Sequence, residues 1–439
     1  MSIDICMWYM TRGFNTRSLH AGTAPDPDTG ARAPPIYQTS SYVFDDADTA
    51  ADLYALREEG DVYSRVSNPT VRQLEGRLAD LEGGVGAVAT ASGMASLDSL
   101  TTVLAQSGDN IVASSDMYGG TGSYLSTLAP RRGIEARTVP TLEYDAYEAA
   151  IDDDTAYVHV ETIANPSLVT PDFERLADIA HDHAVPLVVD NTFGTPALCR
   201  PIEHGADIVW ESTTKWLHGS GTTVGGVLVD GGTFPWDHPD ADYPELSGEN
   251  PGFGFDFSER FGDRALTLAA RHRAVRALGN QQSPFDAWQT MQGLETLPLR
   301  MEQHCENAED VATFLREDPR VAWVTYPGFE DHETHDNASE YLDGGYGGMV
   351  TFGVEGGFEA AKAFCEAVEL TSFLANIGDA KTLVIHPAST THAQLSEEEQ
   401  RAAGVAPDML RLSVGIENGA DIVTDLDAGL AEATEATDR

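Results

Sequence analysis

The sequence predicts an α/β protein with one large, mostly parallel sheet domain and a smaller carboxyl-terminal α+β domain. Three observations carry this prediction. From about residue 71 to about residue 229, short runs rich in Val and Ile alternate with helical stretches. Strands that alternate with helices indicate a parallel sheet with right-handed crossovers. After about Trp323 strand-like and helical runs mix, and the length of 439 residues suits about two or three domains.

The first 61 residues are predicted to form an arm with loops that reaches another subunit. This stretch is rich in Pro, Gly and Asp, and its prolines prevent long helices. Met10 begins a segment typical of a natural start, so residues 1–9 are treated as a candidate extension. The prolines concerned are Pro25, Pro27, Pro34 and Pro35.

The large domain is predicted to span residues 62–280. Residues 71–81 and 173–183 carry apolar side chains at the i, i+3, i+4 spacing of helices. Runs of three to five apolar residues follow, and such runs are typical of buried strands. Residues 231–262 show no period and are interpreted as a long surface loop. The strand-like runs are residues 87–89, 110–113, 156–160, 187–189, 208–210 and 226–229.

Residues 281–439 are predicted to form the smaller domain with its connecting helix. The helical pattern resumes at Phe285 and continues through residues 294–318. Two strand-like runs and two helical patterns follow, which indicates a mixed α+β arrangement. The strand-like runs are residues 349–354 and 409–414, and the helical patterns are residues 358–367 and 420–433.

The charge of the chain is strongly acidic. Asp and Glu number 71 against 26 Lys and Arg, for a net charge of −45. Such a field repels nucleic acid and anionic membranes, so neither is expected as a partner. Acid spread over the whole chain, with three lysines, predicts a halophilic source where salt screens self-repulsion. An ordinary acidic protein is the alternative.

Several site classes and locations are disfavoured by the sequence. The four cysteines are far apart, so neither a disulfide framework nor a structural zinc site is expected. The 13 histidines lack ligand pairs at helical spacing, so no metal is predicted. There is no apolar run of membrane length and no signal-peptide pattern. These features predict a cytoplasmic protein.

One lysine stands out for chemistry. Lys362 lies on an acidic amphipathic helix and Lys381 in a polar loop, where both are expected to be solvated. Lys215 instead follows a predicted strand, with Ser212 and Thr214 before it and a Gly-rich run after it. A strand end beside a cofactor provides the uncharged amine that Schiff-base chemistry needs. The two hydroxyls are suited to a phosphate, and the alternative is a surface lysine on a loop.

Asp190 and the segment Ser92-Gly93-Met94 extend the same pattern. Asp190 ends a buried run, where a carboxylate is well placed to hold the protonated ring nitrogen of pyridoxal 5′-phosphate (PLP). A strand-end cap is the alternative for this residue. Ser92, Gly93 and Met94 lie between a buried run and a helix, and backbone N–H groups at a helix N-terminus bind phosphate. A plain strand-to-helix turn explains this segment equally well.

Tyr118 and Arg411 are weaker candidates. Tyr118 follows another strand-like run, where its ring could stack on a pyridine ring or simply belong to the core. Arg411 lies inside an apolar strand-like run, where burial of its charge requires a partner. A substrate carboxylate is a natural bidentate partner, and an internal Asp or Glu is about as good an explanation.

Taken together, four motifs resemble the Cys/Met-metabolism PLP family. They occur in order at family spacing, and the resemblance extends from about Thr16 to about Ala428. The family implies fold type I of the PLP-dependent transferases, like aspartate aminotransferase. The motifs are residues 63–70 (YSRVSNPT), 92–94 (SGM), 190–192 (DNT) and 212–215 (STTK).

The resemblance implies a role for each matching residue. Lys215 matches the Schiff-base lysine and proton shuttle, and Asp190 the partner of the pyridine nitrogen. Tyr118 matches the residue that stacks on the ring and assists departure of the γ-substituent. Tyr63 and Arg65 match residues that reach the neighbouring subunit's phosphate, which implies a dimer, usually doubled to a homotetramer. The remaining matches are Ser92, Gly93, Met94, Ser212 and Thr214 in the phosphate cup, Asn165 near the cofactor's 3′-oxygen and the substrate, Arg411 at the substrate α-carboxylate, and Thr382 where the family often has a Ser near Lys215.

Within the family, several stretches most resemble the branch that acts on O-acetylhomoserine and sulfide. They are residues 225–232, 283–285, 292–297 and 379–389. The implied reaction is a γ-replacement that yields homocysteine and acetate. Cystathionine γ-synthases and γ-lyases share the same cofactor residues and remain alternatives, and a non-catalytic protein of this fold is a further one. Residues 217–221 (LHGSG) depart from the family's usual Gly-His-Gly run.

Overall fold

The computed structural model describes residues 11–250, 252–391, 393, 396, 400 and 404–437. Its larger sheet has seven strands in the order β1-β7-β6-β5-β4-β2-β3. β7 pairs antiparallel with both β1 and β6, and the other neighbours pair in parallel. The predicted mostly parallel sheet is therefore confirmed. The strands are β1 (Gly86–Thr90), β2 (Asn110–Ser114), β3 (Glu135–Val139), β4 (Thr155–Glu161), β5 (Leu187–Asp190), β6 (Ile208–Glu211) and β7 (Gly226–Asp230).

The central strands are apolar on both faces because helices cover both sides of the sheet. Every residue of β2, β4, β5, β6 and β7 is buried. Successive side chains point to opposite faces; Val158 and Val160 join one core cluster, while Tyr157 joins the other. The α-helices up to Leu278 are Phe14–His20, Ala47–Tyr54, Pro69–Glu82, Gly93–Leu104, Gly119–Ser123, Tyr144–Ala150, Phe173–Asp182, Thr195–Leu198, Phe257–Phe261, Ala265–Ala269 and Arg276–Leu278.

A second sheet of five strands forms the later part of the chain, in the order β10-β11-β12-β9-β8. Only β10 and β11 pair in parallel. Three of the helices in this part of the chain each pack an apolar face against this sheet: Leu297–Glu317, Gly357–Ala367 and Gly419–Thr437. The strands are β8 (Val321–Thr325), β9 (Met349–Val354), β10 (Ser372–Phe373), β11 (Leu383–Ile385) and β12 (Met409–Ser413), and the helices are Pro284–Leu294, Leu297–Glu317, His335–Tyr341, Gly357–Ala367 and Gly419–Thr437.

Two predictions about individual segments are refined by the structure. Residues 231–250 and 252–256 are irregular and mostly exposed or half-buried, as expected of a surface loop, but Trp236, Tyr243 and Leu246 are buried and pack with other apolar side chains against the large sheet. The helical pattern predicted from Phe285 through residue 318 is present as two helices, Pro284–Leu294 and Leu297–Glu317. Pro298 occupies the first turn of the second of these helices, where a missing N–H costs nothing. Residues 1–9 lie outside the described residues.

The carboxyl ends of β4, β5 and β6 meet at one edge of the large sheet. Each of these strands ends on a buried acid: Glu161, Asp190 and Glu211. In open α/β sheets, ligands bind in the crevice outside the carboxyl ends of the strands. The turn that carries Lys215 follows β6 directly, so the topology brings Lys215 to the edge at which Asp190 lies.

Candidate active site

Lys215 lies in a tight turn just after β6. Its backbone N–H donates to the Ser212 carbonyl at 3.2 Å, and its carbonyl accepts from the Gly219 N–H at 2.8 Å. Gly378, with φ of +69°, packs so closely here that a Cβ atom would lie 2.7 Å from the Trp216 nitrogen and 2.9 Å from the Lys215 Cβ. Only glycine suits both that φ and that space. The turn of Lys215 therefore packs closely against the segment between β10 and β11.

The pKa of the Lys215 amine is lowered, so that a sizeable fraction of it is neutral near physiological pH. Its Nζ donates to the Asn376 Oδ1 at 2.5 Å. Burial, assisted by the positive charge of Arg411, lowers the pKa of Lys215 from 10.5 to about 8. Removing an ammonium from water disfavours its charged form. A neutral amine in a cleft is the nucleophile and base that Schiff-base chemistry uses.

Arg411 is held beside the lysine by β12. Its guanidinium Nη1 donates to the Asn165 Oδ1 at 3.1 Å, and no described carboxylate forms an ion pair with it. Burial lowers the pKa of Arg411 to about 10. A desolvated guanidinium with no acidic partner is suited to a planar carboxylate of a substrate. The internal Asp or Glu considered as an alternative is absent among the described residues.

Asp190 ends β5 and is 6% exposed. Its Oδ1 accepts from the Thr192 backbone N–H at 3.0 Å and from the Thr192 hydroxyl at 2.6 Å. Burial raises the pKa of Asp190 to about 7, although the Thr192 donors act in the opposite direction. A cation placed against this carboxyl would favour its charged form. Asp190 therefore caps the turn after β5, and this cap is compatible with a role of the same carboxyl toward a cationic ring nitrogen.

The residues predicted to form a phosphate cup lie on two segments that contact each other. Ser92 caps helix Gly93–Leu104, with its Oγ accepting from the Ala95 N–H at 3.2 Å. A Cβ on Gly93 would lie 2.9 Å from the Ser212 Cβ, so the helix start and the turn after β6 touch. The Thr214 hydroxyl is engaged with the backbone of Gly225. Met94 is partly buried and packs against the apolar cluster under this helix.

Tyr118 and Asn165 lie on two loops that both hydrogen-bond to the side chain of Glu161. The Tyr118 N–H donates to the Glu161 Oε1 at 2.5 Å, and the Asn165 N–H donates to Oε2 at 3.1 Å. The Tyr118 side chain is 47% exposed. Burial and the neighbouring Asp190 raise the pKa of Glu161 well above its usual range, against the effect of the two N–H donors.

Tyr63 and Arg65 lie outside this constellation. Both are exposed, and the Arg65 guanidinium lies 5.4 Å from the centre of the Tyr63 ring. Arg65 also donates to the Arg276 carbonyl. Their contacts to a second subunit stay a prediction.

Thr382 is fully buried directly before β11, and its side chain bonds to the segment that follows β12. Its hydroxyl donates to the Glu417 Oε2 at 2.9 Å and accepts from the Gly415 N–H at 2.9 Å. The side chain near Lys215 is Asn376, six positions earlier. Asn376 was not predicted because its contact spans 161 residues of sequence and no local pattern marks it.

Residues 217–221 depart from the family's usual Gly-His-Gly run, and His218 in this segment is buried near the turn of Lys215. The His218 Nε2 lies 2.7 Å from the Thr222 Oγ1. Arg300, from helix Leu297–Glu317, donates to the carbonyls of Trp216 at 2.7 Å and Leu217 at 3.3 Å. These bonds hold the backbone that follows Lys215, so an arginine on the connecting helix stabilises the turn.

The chemistry of these groups fits PLP. A lysine amine of lowered pKa, a buried carboxyl without a described cationic partner, and a helix N-terminus meet at one strand edge. These are the groups that an aldehyde, a protonated ring nitrogen and a phosphate require. Within the part of the chain that the structure describes, no cluster of His, Cys, Asp and Glu is suited to a metal ion, and no helix is long and apolar enough to cross a membrane.

Comparison with known proteins gives one consistent family. The sequence model of the Cys/Met metabolism PLP-dependent enzymes matches residues 15–431. Homocysteine synthase of Schizosaccharomyces pombe is 48% identical over 422 residues, covering 96% of this chain and 98% of its own. O-acetyl-L-homoserine sulfhydrylase 1 of Thermus thermophilus is 48% identical over 421 residues, covering 95% and 100%.

A solved structure extends the similarity to the fold. The chain named O-acetylhomoserine (thiol)-lyase from Campylobacter jejuni superposes with a TM-score of 0.92 at 36% identity. The match covers 96% of this chain and all of that one, whose structure contains a pyridoxyl-lysine monophosphate. A likeness of this extent includes both sheets and the strand edge at which the site lies.

Proposed function

The chain belongs to the Cys/Met metabolism PLP-dependent enzymes, and from this premise we propose that it converts O-acetyl-L-homoserine and sulfide into L-homocysteine and acetate. It is then a fold type I transferase of homocysteine and methionine synthesis. Full-length relatives at 48% identity carry the names of this activity. The observation that carries the proposal is the Lys215 amine, which donates to Asn376 and whose pKa is lowered by burial and by the positive charge of Arg411.

Each residue has a proposed task in this reaction. Arg411 binds the α-carboxylate of O-acetylhomoserine, with Asn165 fixing the guanidinium at 3.1 Å. Lys215, neutral in part at physiological pH, removes the proton from Cα and returns it during the later steps. Tyr118 assists departure of the γ-acetate. When bound, PLP supplies the electron sink that makes loss of the Cα proton accessible.

The cofactor is proposed to be held by the groups that converge at the strand edge. Lys215 would bind the aldehyde, and Asp190 would hold the ring nitrogen in its protonated form. Ser92, Gly93 and Met94 at the helix N-terminus would bind the phosphate, together with Ser212 and Thr214. Removing water from this crevice strengthens each of these electrostatic contacts.

The product that forms shows which acceptor the enzyme uses: sulfide, cysteine or neither. Purified PLP-loaded protein is offered O-acetylhomoserine with sulfide, with cysteine, or with neither, and Lys215→Ala is run alongside. Homocysteine with sulfide, absent in the variant, is the expected result. Cystathionine with cysteine would assign the chain to the synthases, and 2-oxobutyrate without acceptor would assign it to the lyases.

A shared active site is proposed for the assembly. Tyr63 and Arg65 are exposed, in keeping with a role in the neighbouring subunit's phosphate site within a dimer or homotetramer. Mixing Lys215→Ala with Arg65→Ala subunits should restore activity, since hybrid dimers contain one site with both native residues. Activity that stays at the level of the separate variants would contradict a shared site.

The acidic surface supports a proposed halophilic, cytoplasmic source. With a net charge of −45, self-repulsion at low salt should destabilise the fold, and screening within about 3 Å at molar salt should relieve it. The midpoint of thermal unfolding is therefore expected to rise steeply from low to molar KCl. A flat dependence would favour an ordinary acidic protein.

A further inference from the structure

Glu161 is a buried acid whose contacts join the loops of two proposed site residues. It ends β4 and lies directly opposite Asp190, its neighbour in the register of β4 and β5. The residue is 4% exposed, and no described lysine or arginine forms an ion pair with it. Burying a carboxyl is costly unless its oxygens are hydrogen-bonded, so what these oxygens contact matters.

Both Glu161 oxygens accept from backbone amides, and the two donors come from different loops. Oε1 accepts from Tyr118, which precedes helix Gly119–Ser123 after β2. Oε2 accepts from Asn165, in the loop that follows β4 itself. Asn165 in turn accepts from Arg411 on the second sheet. One carboxyl thus links the loops after β2 and β4 and, through Asn165, the second sheet.

We propose that Glu161 is a positioning residue, which through its two carboxyl oxygens fixes the loops of Tyr118 and Asn165 at the strand edge of Asp190. This assignment rests on the proposed function only for the tasks of Tyr118 and Asn165. The backbone contacts themselves require no turnover. The role follows from geometry, because hydrogen bonds to a carboxyl orient the segments that donate them.

The test measures the two amides directly. Glu161→Gln keeps the shape but replaces one acceptor oxygen with an NH₂ group that cannot accept from a backbone N–H. In the cofactor-free variant, hydrogen exchange read residue by residue by mass spectrometry should accelerate by about tenfold or more at Tyr118 or Asn165. The dissociation constant for PLP, from absorbance titration, should rise as well.

A matched control separates this effect from general destabilisation. Asp230 is also a buried strand-end acid of the large sheet, 2% exposed, and accepts from the Gly232 N–H at 2.9 Å. It ends the antiparallel strand β7 and therefore lies at the opposite sheet edge. Asp230→Asn should leave exchange at Tyr118 and Asn165 unchanged, and faster exchange there in this control would overturn the proposal.

The outcomes are separable from those of the proposed function. Unchanged exchange at both amides in folded Glu161→Gln, or unchanged PLP binding, would overturn the positioning role. If that variant does not fold, Glu161→Asp is measured instead, since it keeps both acceptors on a shorter side chain. Faster exchange at these amides is again expected. A protein that makes no homocysteine but shows these changes would contradict only the proposed reaction.

Discussion

The lowered pKa of Lys215 makes a prediction that the three lysines of this chain allow to be tested cleanly. In the cofactor-free protein, burial and Arg411 bring the pKa of Lys215 from 10.5 to about 8. At pH 7 the neutral fraction of such an amine is about one in ten, against about one in three thousand for an ordinary lysine, a ratio of about 300. Only the neutral amine reacts with an acylating reagent.

The assay is pH-dependent labelling of the cofactor-free protein, with each lysine quantified by mass spectrometry. The half-buried Lys362 and the exposed Lys381 serve as internal references. Labelling of Lys215 should reach half of its maximal rate near pH 8, whatever its accessibility. In Arg411→Leu the half-point should move to higher pH, because a neighbouring positive charge is lost. A half-point above pH 10 for the native protein would refute the reasoning.

Further predictions follow from single contacts. Arg411→Lys loses the planar fork and should raise the KM for O-acetylhomoserine by about tenfold to a hundredfold; an unchanged KM in steady-state kinetics would contradict the carboxylate role. Gly378→Ala should lower the free energy of unfolding by about 1–3 kcal/mol more than Gly357→Ala in denaturant titrations. Gly357 has a similar φ of +72° but open space around it, and equal losses would exclude the steric clash. His181 donates to the buried Asp207, which raises the pKa of the imidazole. The stability that this pair contributes is fully present below the ordinary imidazole pKa of 6.5 and is lost as pH rises through the raised pKa. The difference in unfolding midpoint between native protein and His181→Gln should shrink accordingly, and a difference that grows with pH would contradict the assignment.

The sequence predicted the large sheet well because buried parallel strands are continuous apolar runs. β4, β5 and β6 were identified as such runs. β3 was not predicted, since this edge strand, EARTV, is exposed or half-buried over most of its length. An edge strand has a neighbour on one side only, so its sequence carries a weaker apolar signal.

The buried side chains of the loop at residues 231–262 were missed for a related reason. Its Gly, Pro and Asp content is typical of exposed loops, whereas some of its aromatic side chains, among them Trp236 and Tyr243, are buried against the sheet. A sequence pattern detects the regular spacing of apolar residues along a helix or strand, and this segment has no such spacing. Burial here comes from tertiary packing of single large residues such as Trp236 and Tyr243.

The site was predictable where chemistry coincides with a local motif. Lys215, Asp190 and Ser92 each occur at the end of a strand-like run, and the structure brings their segments to one edge. Asn376 has no such mark, because its contact with Lys215 joins segments far apart in sequence. Glu161 also ends a strand-like run, but its contact with the Tyr118 loop is not visible from that run alone. The roles of Tyr63, Arg65 and Thr382 remain predictions, with Thr382 held by Glu417.

The most direct test of the central claim is a mass balance on one reaction. Acetate released and homocysteine formed are quantified together from O-acetyl-L-homoserine at increasing sulfide, for native protein and Lys215→Ala. We predict equal amounts of the two products, a rate that rises with sulfide, and neither product in the variant. Acetate without homocysteine, or homocysteine formation that survives in Lys215→Ala, would contradict the proposed reaction.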